Sequence, residues 1–262
     1  MLKLDLSGKR ALVCGASQGI GAASAHALAE CGATVLLSAR RKTALQTVLD
    51  KLPCTLQQTH RLFPADLGNT QQAHDLAEFS HAHGPLHILV NNSGGPPAGP
   101  ICDASGEAFE AAFRQQLLAA HRLAQAVIPA MSEARYGRII NIISTSVKIP
   151  IPNLGVSNTI RGAVANWSKT LATEVASLGI TVNNVLPGFT NTPRLSSLIR
   201  GMADKTGRSE SEITAAMRAQ VPLGRFVEAQ ETAAAVAFLS SDLAACITGI
   251  NLPVDGGRTG CL

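Results

Sequence analysis

Short apolar runs alternate with alanine-rich helical stretches from one end of the chain to the other, and no other feature limits the fold so strongly. The runs Arg10–Cys14, Thr34–Ser38, His60–Pro64, His87–Asn91, Arg138–Ile143, Thr181–Leu186 and Ile250–Val254 are short and nearly all apolar. That pattern predicts strands buried on both faces. Between them, Ile20–Cys31, Gln71–His83, Phe109–Met131, Gly155–Leu178 and Gln230–Ser240 have helical length and composition. Repeated β-α-β units with right-handed crossovers give a parallel sheet covered by helices on both sides, a doubly wound α/β fold. One irregular stretch, residues 189–221, predicts a helical excursion between the sixth and seventh strands. No linker, repeat or low-complexity tract breaks the series, so residues 1–262 read as one domain. In such a sheet, ligands bind beyond the carboxyl ends of the strands.

Composition removes several alternatives. The chain is 46% hydrophobic and 15% charged, which suits a doubly covered sheet. Its formal charge of +4 is dispersed, and the densest basic cluster is Arg40-Arg41-Lys42. That is too short for a nucleic-acid tail or a polybasic membrane segment. The few aromatic residues do not interleave with basic ones as a nucleic-acid platform requires. Six cysteines, at 14, 31, 54, 102, 246 and 261, show no metal-ligand spacing. Several sit in apolar runs, where reduced thiols pack as small hydrophobes. No signal-like leader or membrane-length apolar stretch is present, so the expectation is a cytoplasmic protein with a small-molecule substrate and no membrane or metal partner.

The first strand runs into Cys14-Gly15-Ala16-Ser17-Gln18-Gly19-Ile20-Gly21 and then a helix. Gly15, Gly19 and Gly21 permit a tight turn and close approach of backbone to a pyrophosphate. Ser17, Gln18 and Ile20 lie on the same turn, whose helix start offers free N–H groups to phosphate. A glycine trio alone is a weak signal; its place after the first strand and at the head of a β-α-β series makes it a dinucleotide site. The second strand ends in Ala39-Arg40. An NAD site wants a carboxylate here for the ribose 2′-hydroxyl, whereas arginine suits the 2′-phosphate, so NADP(H) is expected over NAD(H).

Further motifs extend along the chain. Ala65-Asp66-Leu67 follows the third strand, Asn91-Asn92-Ser93-Gly94 the fourth, and Gly137-Arg138-Ile139-Ile140-Asn141-Ile142 forms the fifth. Asn183 with Pro187-Gly188, Pro222-Leu223-Gly224-Arg225, Thr248-Gly249 and Val254-Asp255-Gly256-Gly257 complete the set. With these the sequence closely resembles the short-chain dehydrogenase/reductase family, nearest its 3-oxoacyl-carrier-protein reductase-like members. The resemblance implies a seven-stranded sheet, and cofactor contacts at Asp66, Leu67, Asn92, Pro187, Gly188, Thr190 and Thr192. It also implies a homotetramer, with Phe109–Met131 and Gly155–Leu178 meeting across a two-fold axis.

The resemblance also identifies a departure. Family members use a tyrosine as acid/base, a lysine four residues later, a serine on the fifth strand and an asparagine on the preceding helix. Here those positions fall on Ser157, Arg161, Ser144 and Gln116. The sole tyrosine, Tyr136, precedes the fifth strand, far from the cofactor edge, and reads as a surface turn residue. Serine is a far weaker acid than a tyrosine beside a cation, and Arg161 keeps its charge but exchanges no proton. Arg161 can still hold ribose hydroxyls or a substrate carboxylate. Lys148, in the loop after Ser144, is either an alternative donor or a solvated loop residue. Three functions remain open from sequence: an oxidoreductase with a non-standard proton donor, a non-catalytic dinucleotide-binding regulator or subunit, and a non-redox lyase or hydrolase using Ser144, Ser157 and Arg161.

Overall fold

A computed structural model describes residues 4–261. In chain order the elements are β1 (Arg10–Cys14), α1 (Gly19–Glu30), β2 (Thr34–Ala39), α2 (Lys42–Leu49), β3 (Arg61–Pro64), α3 (Thr70–Ala82), β4 (Ile88–Asn91) and α4 (Gly106–Phe113). There follow α5 (Ala119–Glu133), β5 (Gly137–Ile142), α6 (Gly155–Val175), β6 (Ile180–Pro187), β7 (Thr190–Asn191), α7 (Pro193–Thr206), α8 (Glu210–Arg218), β8 (Val227–Glu228), α9 (Ala229–Ser240) and β9 (Asn251–Val254). The main sheet is parallel and seven-stranded, in the order β3-β2-β1-β4-β5-β6-β9. Strand order reverses between β1 and β4, and the cleft outside their carboxyl ends is where such sheets take ligands.

Alternate residues of each strand feed opposite cores, as a period of two dictates. Ala11, Val13, Ile88 and Val90 face α1, α2 and α9, joining Leu28, Leu45 and Leu239. Leu12, Leu89 and Ile139 face α3, α5 and α6, joining Leu76, Leu123 and Ala172. Burial on both faces holds for the central strands. It fails at the rims: β3 is exposed at its two end residues and β9 is only half-buried, because each has a neighbour on one side only.

One row in this apolar sheet is polar. Asn91, Asn141, Asn184 and Asn251 stand opposite one another on four adjacent strands. Asn91 donates Nδ2 to Oδ1 of Asn141 at 2.8 Å, Asn141 to Asn184 at 3.1 Å, and Asn184 to Asn251 at 2.8 Å. The Asn141 amide also donates to Ser168 Oγ on α6 at 2.9 Å. A buried amide is tolerable only when bonded, and this row satisfies itself.

The expected helix Phe109–Met131 is interrupted. After α4 the chain makes a π-helical turn over Arg114–Leu118 before α5 resumes. Such one-turn widenings cluster at functional sites. The excursion 189–221 contains α7 and α8, which form a small core of Leu195, Ile199, Ile213 and Met217. Thr192 caps α7, and Ser209 with Glu212 forms a capping box on α8.

Two expectations about single residues are corrected. Tyr136 is 8% exposed, not a surface residue. Its hydroxyl donates to the Ser240 carbonyl at 2.5 Å, and its ring lies 3.8 Å from Lys9 Nζ and 4.1 Å from the Arg138 guanidinium. Burial pushes its pKa up to about 12, as a structural phenol would show. Of the cysteines, only Cys14 is buried, its thiol pushed up to about 12 by the apolar surroundings. Cys54, Cys102, Cys246 and Cys261 are exposed and lie outside the strands, Cys102 in a short 3-10 turn.

Candidate active site

Gly15 and Gly19 both adopt positive φ, and Gly21 packs directly against the turn they make. A Cβ on Gly21 would stand 2.2 Å from the Gly15 carbonyl oxygen, and one on Gly15 would stand 2.5 Å from Asn92 Nδ2. Asn92, just beyond β4, donates that nitrogen to the carbonyls of Cys14 and Gly15 at 3.3 and 3.2 Å. The turn is thereby fixed between two strands. Gln18, at the N-cap of α1, makes no side-chain cap. The first-turn N–H groups of α1 are thus left for an anion, with the positive end of the helix dipole behind them.

A cleft of about 580 Å³ opens in front of this turn. Of the expected cofactor residues, Gly15, Ser17, Gln18, Gly19, Ile20, Arg40, Asp66, Leu67, Asn92 and Thr192 line it. Arg40 is exposed at the end of β2. Asp66 accepts from the Gly68 amide at 3.0 Å. Gly21, Arg161, Pro187, Gly188 and Thr190 do not line it. Thr190 donates to the Gly188 carbonyl at 3.1 Å, and Gly188 backs onto Asp255, where a Cβ would approach Cα at 2.7 Å. The sequence reading missed Arg41, Ser93, Gly94, Gln115, Pro193 and Arg194, all of which border the cleft. Arg41 had a signal in the basic cluster, and it donates to Gln18 Oε1 at 3.3 Å. Arg194 had none beyond following the cap of a helix. The cradle and the cleft fit a dinucleotide.

Of the four positions of the altered tetrad, Ser144 lies just past β5, Ser157 and Arg161 on the first turns of α6, and Gln116 on the π turn before α5. Ser144, just past β5, accepts the Ser146 amide at 3.1 Å. Ser157, on the first turn of α6, is 9% exposed and has no hydrogen-bond partner among the described residues. Lys148 is half-buried at the end of the short turn following Ser144.

Arg161, one turn along α6 from Ser157, is 8% exposed and donates Nη1 to the Ile142 carbonyl at 2.6 Å. Its Nε has no protein partner. Burial first, and the neighbouring Arg194 second, push its pKa down to about 10, so it stays cationic at neutral pH. Gln116 sits on the π turn at 6% exposure, and neither atom of its amide has a protein partner. Gln116, Arg161, Asn91 and Asn141 enclose a hollow of about 20 Å³, roughly the room one water needs. No histidine bonds to Ser144 or Ser157 among the described residues, so the hydroxyls lack the base that a hydrolase nucleophile requires.

A family profile described as "Enoyl-(Acyl carrier protein) reductase" matches residues 15–259. The chain is 38% identical over 258 residues to the 3-oxoacyl-[acyl-carrier-protein] reductase FabG of Escherichia coli, covering 97% of this chain and 98% of that one. Among solved structures it resembles YwfH, an NADPH-dependent reductase involved in bacilysin biosynthesis, with a TM-score of 0.92 at 28% identity over 98% and 100% of the two chains. It also resembles the L-sorbose reductase of Gluconobacter frateurii in complex with NADPH and L-sorbose, with a TM-score of 0.92 at 29% identity over all of both chains. Fold, glycine cradle and full-length similarity agree: the chain belongs to the short-chain dehydrogenase/reductase family of oxidoreductases.

Proposed function

We propose that this protein is an NADP(H)-dependent oxidoreductase acting on a small carbonyl or alcohol, 3-oxoacyl-like compounds included, with a proton source other than tyrosine. The observation that carries the reading is the complete cradle at the uncapped start of α1, opening on a cleft that ends at Arg40. Hydride transfer is the chemistry NADP(H) supplies when bound. Arg40 and Arg41 suit its 2′-phosphate, the α1 turn its pyrophosphate, Asp66 and Leu67 its adenine, and Asn92 and Thr192 its nicotinamide half. The NADPH named for YwfH and the sorbose reductase agrees with the preference.

The chain's own residues then divide the remaining work. Ser144 and Ser157 offer hydroxyls to a substrate oxygen at the carboxyl end of β5. Arg161 sets a fixed positive charge beside it, which lowers the energy of an oxyanion there without giving up a proton. Gln116 turns its unpartnered amide into the small polar hollow that Arg161 also borders. None of these groups titrates near neutral pH, so the proton comes from solvent or from Lys148. Residues 1–262 act as one cytoplasmic dinucleotide-binding domain.

Two measurements test this. Arg40→Ala is expected to weaken NADPH about 10- to 100-fold, the loss of a charged hydrogen bond of about 1.5–3 kcal/mol, with little change for NADH. Equal losses for both cofactors would remove Arg40 from the 2′-phosphate site. We also propose a homotetramer in which α4 to α5 and α6 meet their symmetry mates, since their alanine-rich surfaces suit close helix packing and Phe113 is left 39% exposed on α4. Sedimentation at micromolar concentration is expected to give four copies, and a monomer refutes it.

A further inference from the structure

We infer that the substrate is an anion, and that its carboxylate binds between Arg161 and Arg194 above Gly95. The inference rests on the oxidoreductase reading only in assigning the ligand to the substrate side of that site.

Arg161 is a buried cation without a carboxylate. Ion pairs among the described residues are His26–Glu30, His74–Glu78, Arg138–Asp242, Arg200–Glu210 and Arg225–Glu231. Neither Arg161 nor Arg194 takes part. Burying an uncompensated charge is costly, and one backbone carbonyl on Nη1 leaves the rest of the guanidinium unanswered.

A second cation is then brought towards the first. Arg194 stands in the first turn of α7, where the helix dipole already disfavours positive charge and no acidic residue offsets it. It reaches across the cleft and donates Nη1 to the Gly95 carbonyl at 3.4 Å. The exposed Arg194 guanidinium adds a like charge that disfavours the buried Arg161 cation, and an anion between them reverses the sign.

Gly95 supplies the room. Its φ is not in the left-handed region, so the backbone there does not ask for glycine. A Cβ at this position would stand 2.8 Å from Nη2 of Arg194 and 4.0 Å from Nη2 of Arg161. Both guanidinium ends therefore border the space that a side chain would have filled. A carboxylate presents two oxygens to two such donors, the pairing at which arginine excels. Arg194 borders the same cleft as the α1 turn, where Thr192 packs against Gly19, whereas Arg161 and Gly95 stand outside the lining of that cleft.

The experiment is calorimetric titration of the NADP⁺-saturated protein with acetoacetate and levulinate, each against its methyl ester. The acids are expected to bind at least tenfold more tightly than the esters. Gly95→Val is expected to erase that preference while NADP⁺ affinity stays within twofold; Arg194→Ala is expected to erase it as well, and Arg194→Lys to keep part of it. Equal affinity for acid and ester overturns the inference. So does an Arg194→Ala variant that loses tenfold in NADP⁺ binding with the acid preference intact, which assigns Arg194 to the pyrophosphate. Should the esters be reduced by NADPH without any acid preference in binding, the oxidoreductase reading survives and this one fails. Acid-selective binding with no NADPH consumption from any carbonyl gives the reverse.

Discussion

Gly21→Ala is expected to weaken NADPH binding by at least 100-fold and to lower the thermal midpoint by many degrees. One methyl group is enough because nothing near it can yield. Its Cβ would meet the Gly15 carbonyl oxygen at 2.2 Å and Asn92 Nδ2 at 2.7 Å. The first is backbone in a positive-φ turn, and the second is already committed to two carbonyls. Overpacking a core ordinarily costs about 1–3 kcal/mol, and here relief requires moving α1 away from β1. That displacement carries off the N–H groups meant for the phosphates and unseats Asn92 at the end of β4. Differential scanning fluorimetry with and without NADPH reads both effects. A variant with parental affinity and midpoint would mean that the turn is not the rigid cradle described.

Ser157→Tyr combined with Arg161→Lys is expected to raise NADPH-dependent reduction of methyl acetoacetate about 10²- to 10⁴-fold, the usual worth of a positioned general acid. The parental pair sits one turn apart on α6, beside Ser144 at the end of β5. Ser157 has no partner to lose. A tyrosine hydroxyl beside a lysine ammonium has its pKa lowered, because the cation favours the phenolate. Its protonated form donates in the reductive direction, so the variant's reduction rate is expected to fall as pH rises through that lowered value. The parent, lacking such an acid, shows no matching titration. The measurement is the pH profile of NADPH consumption for both proteins, after each has been shown to bind NADPH equally. A double variant that binds NADPH but gains nothing would count against a reductase pocket. Brisk turnover by the parent would instead make Lys148 the residue to replace. Because the double variant also removes the Arg161 guanidinium, it is expected to lose selectivity for acids over esters.

The sheet and the glycine turn were legible because both follow from local rules. Continuous apolar runs locate central strands, and β1, β2, β4, β5 and β6 lie within a residue or so of their expected limits. Rules of that kind see composition, not neighbours. Tyr136 reads as a surface turn residue from its place before the fifth strand, yet its hydroxyl reaches Ser240 at the end of α9, 104 positions away. The π turn at Arg114–Leu118 is silent in sequence because a single five-residue turn is too short to set a period of its own, and it places Gln116 at the hollow that Arg161 borders. Gln116, Ser144, Ser157 and Arg161 were found by resemblance rather than by pattern. Arg194 escaped both, since only the return of α7 over Gly95 gives it a role.

The row of asparagines bears on how the sheet is put together. A parallel sheet of valine, isoleucine and leucine has many nearly equivalent alignments, and apolar contact alone distinguishes them poorly. A shift of β5 by one residue against β4 would send the Asn141 amide to the opposite face. A shift by two would set it against Leu89, the neighbour that now faces Ile139. Either error strands a buried amide, at about 1–3 kcal/mol for each unsatisfied group. Because Asn141 bonds Asn91, Asn184 bonds Asn141, and Asn251 bonds Asn184, a misaligned strand spoils the template for the next. The amides that hold the finished sheet therefore also select its register, each strand against the next.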